Sequence, residues 1–202
     1  MYLFGDTYFE LPVIKNVFQA VFISFIVSEM LIWFFTSINN RKCCENKEKG
    51  DKNSCLLLVL GVLSTIFFNV ACRKYILFLT TPVFLFWIGT IFIVAGVFLR
   101  IYSVWTLGKF FTLSVQVTSE QKIIQTGPYK YLRHPSYSGS ILSLIGISFC
   151  FRNIIGIILT IAIIAIIYKY RIRVEEKMLE KTFSDSYKEY KKRTKKIIPF
   201  IW

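Results

Sequence analysis

The sequence predicts an all-α integral membrane protein with about five transmembrane helices and a C-terminal cytosolic helical tail. Three observations carry this expectation. Of 202 residues, 54% are hydrophobic and 17% aromatic, and the mean hydropathy is +0.53, which is too apolar for a soluble globule. Apolar runs recur at the length that a bilayer core of about 30 Å demands, about 20 helical residues. The Lys and Arg residues fall between and after those runs, so the net charge of +13 suits anionic lipid headgroups rather than nucleic acid.

The first run is Val13 to Ile38. The stretch before it, MYLFGDTYFELP, lacks the basic start and small-residue cleavage site of a secretory signal, so the run is expected to remain as an anchor. The second run, Leu56 to Cys72, ends at Arg73-Lys74. The third, Phe78 to Leu99, ends at Arg100, and Pro82 suits its first helical turn. A fourth, Tyr137 to Phe151, supplies only about 22 Å of helix; it spans poorly unless its ends lie in protein, and a re-entrant hairpin is the alternative. Arg152-Asn153 separates it from the fifth, Ile154 to Tyr170, and places the hairpin tip at the far interface. The loop 41–54, RKCCENKEKGDKNS, is polar and expected to be mobile.

All 25 basic residues except Lys15, Arg73, Lys74 and Arg152 fall in that loop, in the connector after the third run, or in the tail from Lys169 onward. The positive-inside rule therefore places the N-terminus outside and the C-terminus in the cytosol. The cysteines (Cys43, Cys44, Cys55, Cys72, Cys150) form no CxxC pair and have no histidine at ligand spacing, so they read as free thiols and no metal is expected. Cys43 and Cys44, just beyond a span, are candidates for palmitoylation.

The residues that carry chemistry lie after position 108. On a helix continuing from the fifth span, Arg171 and Glu175 are four residues apart and share a face. At 100° per residue, Tyr168, Ile172, Glu175, Met178, Leu179, Thr182 and Phe183 fill an arc of about 140° that includes Arg171. Arg173, Lys177, Glu180 and Lys181 fall outside it. Charges on an apolar stripe are costly unless paired and commonly mark a site, although an inward ion pair can also serve packing alone. The one histidine lies in Gly127-Pro128-Tyr129-Lys130-Tyr131-Leu132-Arg133-His134-Pro135-Ser136-Tyr137. Gly-Pro makes a turn and Pro135 suits the first helical position, which leaves His134 near the cap. The helix start there suits an anion such as a carboxylate. Gly139, Ser140, Ser143 and Gly146 give the fourth helix a small-residue face that suits close helix packing. No G-x-G, GxSxG or HExxH motif is present.

The segment TGPYKYLRHPSYSG, then RIRVEEKML, FSDSYKEYKKR and the terminal IIPFIW, resembles the isoprenylcysteine carboxyl methyltransferase family and its phospholipid N-methyltransferase relatives. The likeness covers about residues 90 to 202. It implies one membrane methyltransferase domain over 1–202, with two N-terminal spans in 1–75 and a catalytic core with a cofactor-binding connector in 76–202. It also implies S-adenosyl-L-methionine as cofactor. By motif, the cofactor-binding residues would be Gln121, Lys122, Ile123, Ile124, Tyr129, His134, Pro135, Ser136, Tyr137 and Glu175. Arg171 would be the catalytic, substrate-binding arginine. The sequence departs from the family where Ile124-Gln125-Thr126 replaces valine-threonine-serine and Phe183-Ser184 replaces Phe-Gly.

The implied reaction is methylation of the C-terminal carboxylate of a prenylated cysteine, or of a similar lipid-like carboxylate, at the cytosolic face, with membrane lipids as the surroundings. Other readings stay open. A phospholipid N-methyltransferase acting on phosphatidylethanolamine would need a proton acceptor, for which His134, Glu175 or Glu176 are available. A membrane sterol-type reductase also carries an RHPxY-like element. A non-catalytic lipid-binding protein would leave Arg171 and Glu175 structural.

Overall fold

The computed structural model describes residues 11–42, 47–49, 52–75, 80–112, 116–118 and 123–197. Five α-helices follow in order: α1 (Pro12–Lys42), α2 (Lys52–Tyr75), α3 (Phe84–Leu107), α4 (Pro135–Cys150) and α5 (Ile154–Arg193). Short 3-10 turns form at Gly108–Phe110 and Gly127–Lys130. Among the described residues, α1, α2, α3 and α5 are long and apolar enough to cross a membrane. Helix α4, at 16 residues, is not.

Its surroundings resolve the shortfall. Helix α4 is packed between α3 and α5, with most of its length buried. Enclosed by protein, it need not match the bilayer's thickness. The exterior is apolar, with Trp33, Phe35, Phe67, Phe98, Trp105 and Ile166 exposed, while Asn69, Ser103, Thr160 and Arg171 are buried. That arrangement suits lipid as solvent, where polar groups gain by facing inward.

Glycines seven residues apart set the contact between α3 and α4. Gly89 lies against Gly146, and Gly96 against Gly139, so closely that a Cβ at Gly146 would stand 2.6 Å from the Gly89 carbonyl. The small-residue face of α4 is thus a packing face, and the spacing is that of aligned, nearly antiparallel helices. Helix α1 packs on α3 and α2 on α5, while α1 and α2 scarcely meet. At the hairpin tip, Asn153 caps α5 by accepting from Ile155 N at 3.1 Å and Gly156 N at 3.2 Å, which satisfies two of the helix's open donors. Arg152 Nε donates to the Thr81 carbonyl at 2.9 Å, tying the tip to the start of α3.

Three expectations change. Helix α3 starts at Phe84, with Pro82 and Val83 in a turn ahead of it rather than inside its first turn. It also runs past Arg100, because that side chain is buried and paired and so does not mark an interface. Part of the loop 41–54 is ordered: Lys47–Lys49 (β1) pair antiparallel with Gln116–Thr118 (β2), Glu48 opposite Val117. As the sequence suggests, the fifth span and the tail form one 40-residue helix; it is broken at Ser184, whose φ of 43° is a conformation that glycine adopts readily. Serine, where the resemblance would put glycine, therefore occupies a strained position.

Candidate active site

One cavity of about 770 Å³ collects most of the residues singled out from the sequence. The turn at Gly127–Lys130, the first turn of α4 and the stripe of α5 form its polar floor. Ile123, Ile124, Tyr129, His134, Ser136, Tyr137, Arg171 and Glu175 all line it. Pro135 is buried at the first position of α4, where its missing N–H costs no hydrogen bond. Gln121 and Lys122 lie outside the described residues.

Arg171 is 2% exposed and its Nε donates to the Tyr137 hydroxyl at 2.9 Å, which in turn donates to Glu175 Oε2 at 2.6 Å. The arginine and the glutamate are thus linked through a tyrosine from α4, which locks the stripe of α5 to the RHPSY turn. Tyr168, one turn before Arg171, packs edge-on against Tyr137 at 5.6 Å and donates to Ser140 Oγ at 2.7 Å. Arg171, Tyr137 and Tyr168 are thus each partnered, as a site of fixed geometry requires.

His134 stacks on Tyr137, ring centroids 5.6 Å apart. Its side chain does not cap α4. The ring instead sits between two carboxylates, with Nδ1 3.7 Å from Glu175 Oε1 and Nε2 3.6 Å from Glu176 Oε1. These separations allow an ion pair when the imidazole is protonated but exceed a hydrogen bond. The backbone N–H groups of Tyr137 and Ser138 already donate to the His134 carbonyl, so the helix start offers an anion fewer open donors than the sequence suggested.

Glu176 is more enclosed than Glu175, with 9% of its side chain exposed against 29%. Arg133 Nε holds it at 2.9 Å, and Lys196 Nζ lies 3.5 Å away. The same arginine donates to the carbonyls of Lys191 and Thr194. The tail past α5 then returns beneath the turn, where Arg133 N donates to the Lys195 carbonyl at 2.8 Å and His134 N to the Lys196 carbonyl at 3.1 Å. Tyr190 donates to the Tyr129 carbonyl at 2.7 Å. Burial, and after it the Glu175 charge, pushes the Tyr129 phenol well above its ordinary value, so it stays protonated.

Above the floor the cavity becomes an apolar gallery. Phe25, Ile26 and Trp33 of α1 face Leu58, Val62 and Ile66 of α2, across the gap where those helices scarcely meet. Glu29 and Arg100 stand where gallery and floor join, and Tyr187 adds a buried hydroxyl without a hydrogen-bond partner among the described residues. Sequence reading missed these three. Glu29 had a signal, since it is the one acid in the run Val13 to Ile38. Arg100 and Tyr187 had none beyond their chemistry.

The sequence profile of the phospholipid methyltransferase family matches residues 84–186, from the start of α3 into the break in α5. The protein-S-isoprenylcysteine O-methyltransferase of Saccharomyces cerevisiae is 34% identical over 116 residues, 56% of this chain and 48% of that protein. Protein-S-isoprenylcysteine O-methyltransferase B of Arabidopsis thaliana is 31% identical over 115 residues, 56% of this chain and 58% of that one. The chain thus spans about half the length of the curated relatives it matches. A solved eukaryotic intramembrane Ras methyltransferase, isoprenylcysteine carboxyl methyltransferase, superposes with a TM-score of 0.67 over 97% of this chain and 70% of its own, at 22% identity. That likeness shows a shared membrane fold, and with four bilayer-length helices it makes this an integral membrane protein. Because the family profile covers the elements that build the cavity floor, this chain belongs to the phospholipid methyltransferase family.

Proposed function

We propose that the protein transfers a methyl group from S-adenosyl-L-methionine to the C-terminal carboxylate of a prenylated cysteine, or of a similar lipid-like carboxylate, at the cytosolic membrane face. The observation that carries this reading is the continuous cavity, whose polar floor holds Arg171 and whose apolar gallery lies between two loosely associated helices. The floor fits a polar cofactor. Among the described residues, His134 Nε2 and the Tyr187 hydroxyl are buried there without hydrogen-bond partners, and such groups are costly unless a ligand meets them. The cavity volume is also in the range of small-molecule sites.

On this reading Tyr129, His134, Pro135, Ser136, Tyr137 and Glu175 hold the cofactor, with Ile123 and Ile124 at its border. Gln121 and Lys122 join the set by their place in the sequence. When bound, the cofactor supplies an electrophilic sulfonium methyl. An acceptor carboxylate has a pKa of about 3.3–3.7 and is already an anion at neutral pH, so no general base is needed. Arg171 orients that anion with its planar fork, and Tyr137 holds the guanidinium in place by accepting from its Nε. The gallery takes the lipid tail sideways from the membrane and excludes water from the nucleophile. Chain segments 1–75 and 76–202 then act as one unit, because α1 and α2 build the gallery and the later helices build the floor.

Incubation with methyl-labelled cofactor and a farnesyl- or geranylgeranyl-cysteine analogue is expected to give a base-labile methyl ester, and none when the carboxylate is amidated. Labelling of phosphatidylethanolamine alone would overturn the assignment and make the acceptor an amine. His134, set between Glu175 and Glu176, would then serve as the proton acceptor.

We infer that the C-terminus lies in the cytosol and the N-terminus outside, a reading supported by the basic residues gathered in the loop 41–54, the connector and the tail. Thiol labelling of single cysteines introduced at Tyr2 and Lys195 should therefore occur from opposite sides of sealed vesicles. Labelling of both from one side would refute this orientation.

A further inference from the structure

Helix α1 lies outside the region matched by the family profile, yet it sends one charge into the cavity. Glu29 Oε2 accepts from Arg100 Nη2 at 2.7 Å, and the Arg100 Nε also faces its other oxygen. Arg100 is 6% exposed. Its remaining arm, Nη1, donates to the Ser136 carbonyl at 3.3 Å and to Ser136 Oγ at 3.2 Å. Ser136 is the second residue of α4, one position before Tyr137 and two after His134. One guanidinium thus joins the first helix to the turn at the centre of the floor.

A pair that served packing alone would need only α1 and α3. This one spends half of its hydrogen-bonding fork on the first turn of α4, and both members face the cavity. We propose that Glu29 and Arg100 are positioning residues: Glu29 aims the Arg100 guanidinium, which holds Ser136 and so fixes His134 and Tyr137 for the cofactor. This inference rests on the proposed methyl-transfer reading. Its physical basis is that a planar fork grips two partners in a set geometry, whereas a charge without its counterion reorients toward whatever polar group is near.

Arg100→Lys separates the two roles, because lysine keeps the charge opposite Glu29 but has no second arm for Ser136. Calorimetric titration of S-adenosylhomocysteine into detergent-purified protein should show Arg100→Lys binding about tenfold more weakly than the parent, a loss of one good hydrogen-bonded contact, with Tm close to the parent's. Glu29→Gln, which keeps shape and one acceptor oxygen, should weaken binding several-fold by the same route. Combined, the two changes should cost no more than Arg100→Lys alone. Parental affinity in both single variants would overturn the proposal, as would losses that multiply in the double variant. If one variant does not fold, the other carries the same comparison with the parent. Failure of the parent to bind the ligand would reject the methyl-transfer reading and this inference with it, an outcome distinct from equal binding by parent and variants.

Discussion

Arg171→Ala is expected to lower kcat/KM for a prenylcysteine acceptor by about a hundredfold or more, because misplacing a reacting group by an ångström costs that much. Arg171→Lys should recover little. Lysine supplies a charge without the planar two-pronged geometry that aligns a carboxylate, and it has no counterpart of Nε to donate to the Tyr137 hydroxyl. The loss of that hydrogen bond also frees Tyr137, which holds Glu175 at 2.6 Å, so cofactor affinity should fall alongside turnover in both variants. Initial rates at varied acceptor, paired with calorimetric titration of the cofactor product, measure the two effects separately. Near-parental activity of Arg171→Lys would mean that the arginine acts only as a diffuse positive charge and would remove its assigned role.

Gly139→Leu is expected to leave little folded protein, and Gly139→Ala to cost about 1–3 kcal/mol, the usual penalty for forcing extra volume into a filled contact. A Cβ at Gly139 would stand 2.6 Å from the Gly96 carbonyl and 2.8 Å from the Arg100 backbone nitrogen. Neither neighbour is a flexible side-chain end, so α3 and α4 must move apart. Because Arg100 rides on the displaced segment, the damage should reach Ser136 and the cavity floor as well as the fold. Thermal unfolding in detergent reports the stability loss. A parental Tm for Gly139→Leu would show that the two helices do not meet there.

The helices were legible because their signals are local. Run length marked five apolar segments, the polar pair Arg152-Asn153 marked the hairpin tip, and the small residues of α4 marked a packing face. The 100° periodicity of the tail brought Arg171 and Glu175 to one face before any coordinates, and both line the cavity. Local signals also misled. Arg100 read as the end of a span, since a charge after an apolar run ordinarily meets water. Its partner Glu29 lies 71 positions away in the sequence, and no window on either residue contains the other.

By itself the sequence determined a helical membrane protein, its segments and the motif-bearing stretch that forms the floor. Those follow from transfer energies and helical periodicity, which each segment expresses alone. Only the tertiary structure decided that Tyr137 links Arg171 to Glu175, that His134 stands between two carboxylates, and that α1 contributes a charge to a site built by later helices. Such pairings arise because a buried charge must find a counterpart or bear its desolvation cost, and which counterpart it finds depends on how the helices pack.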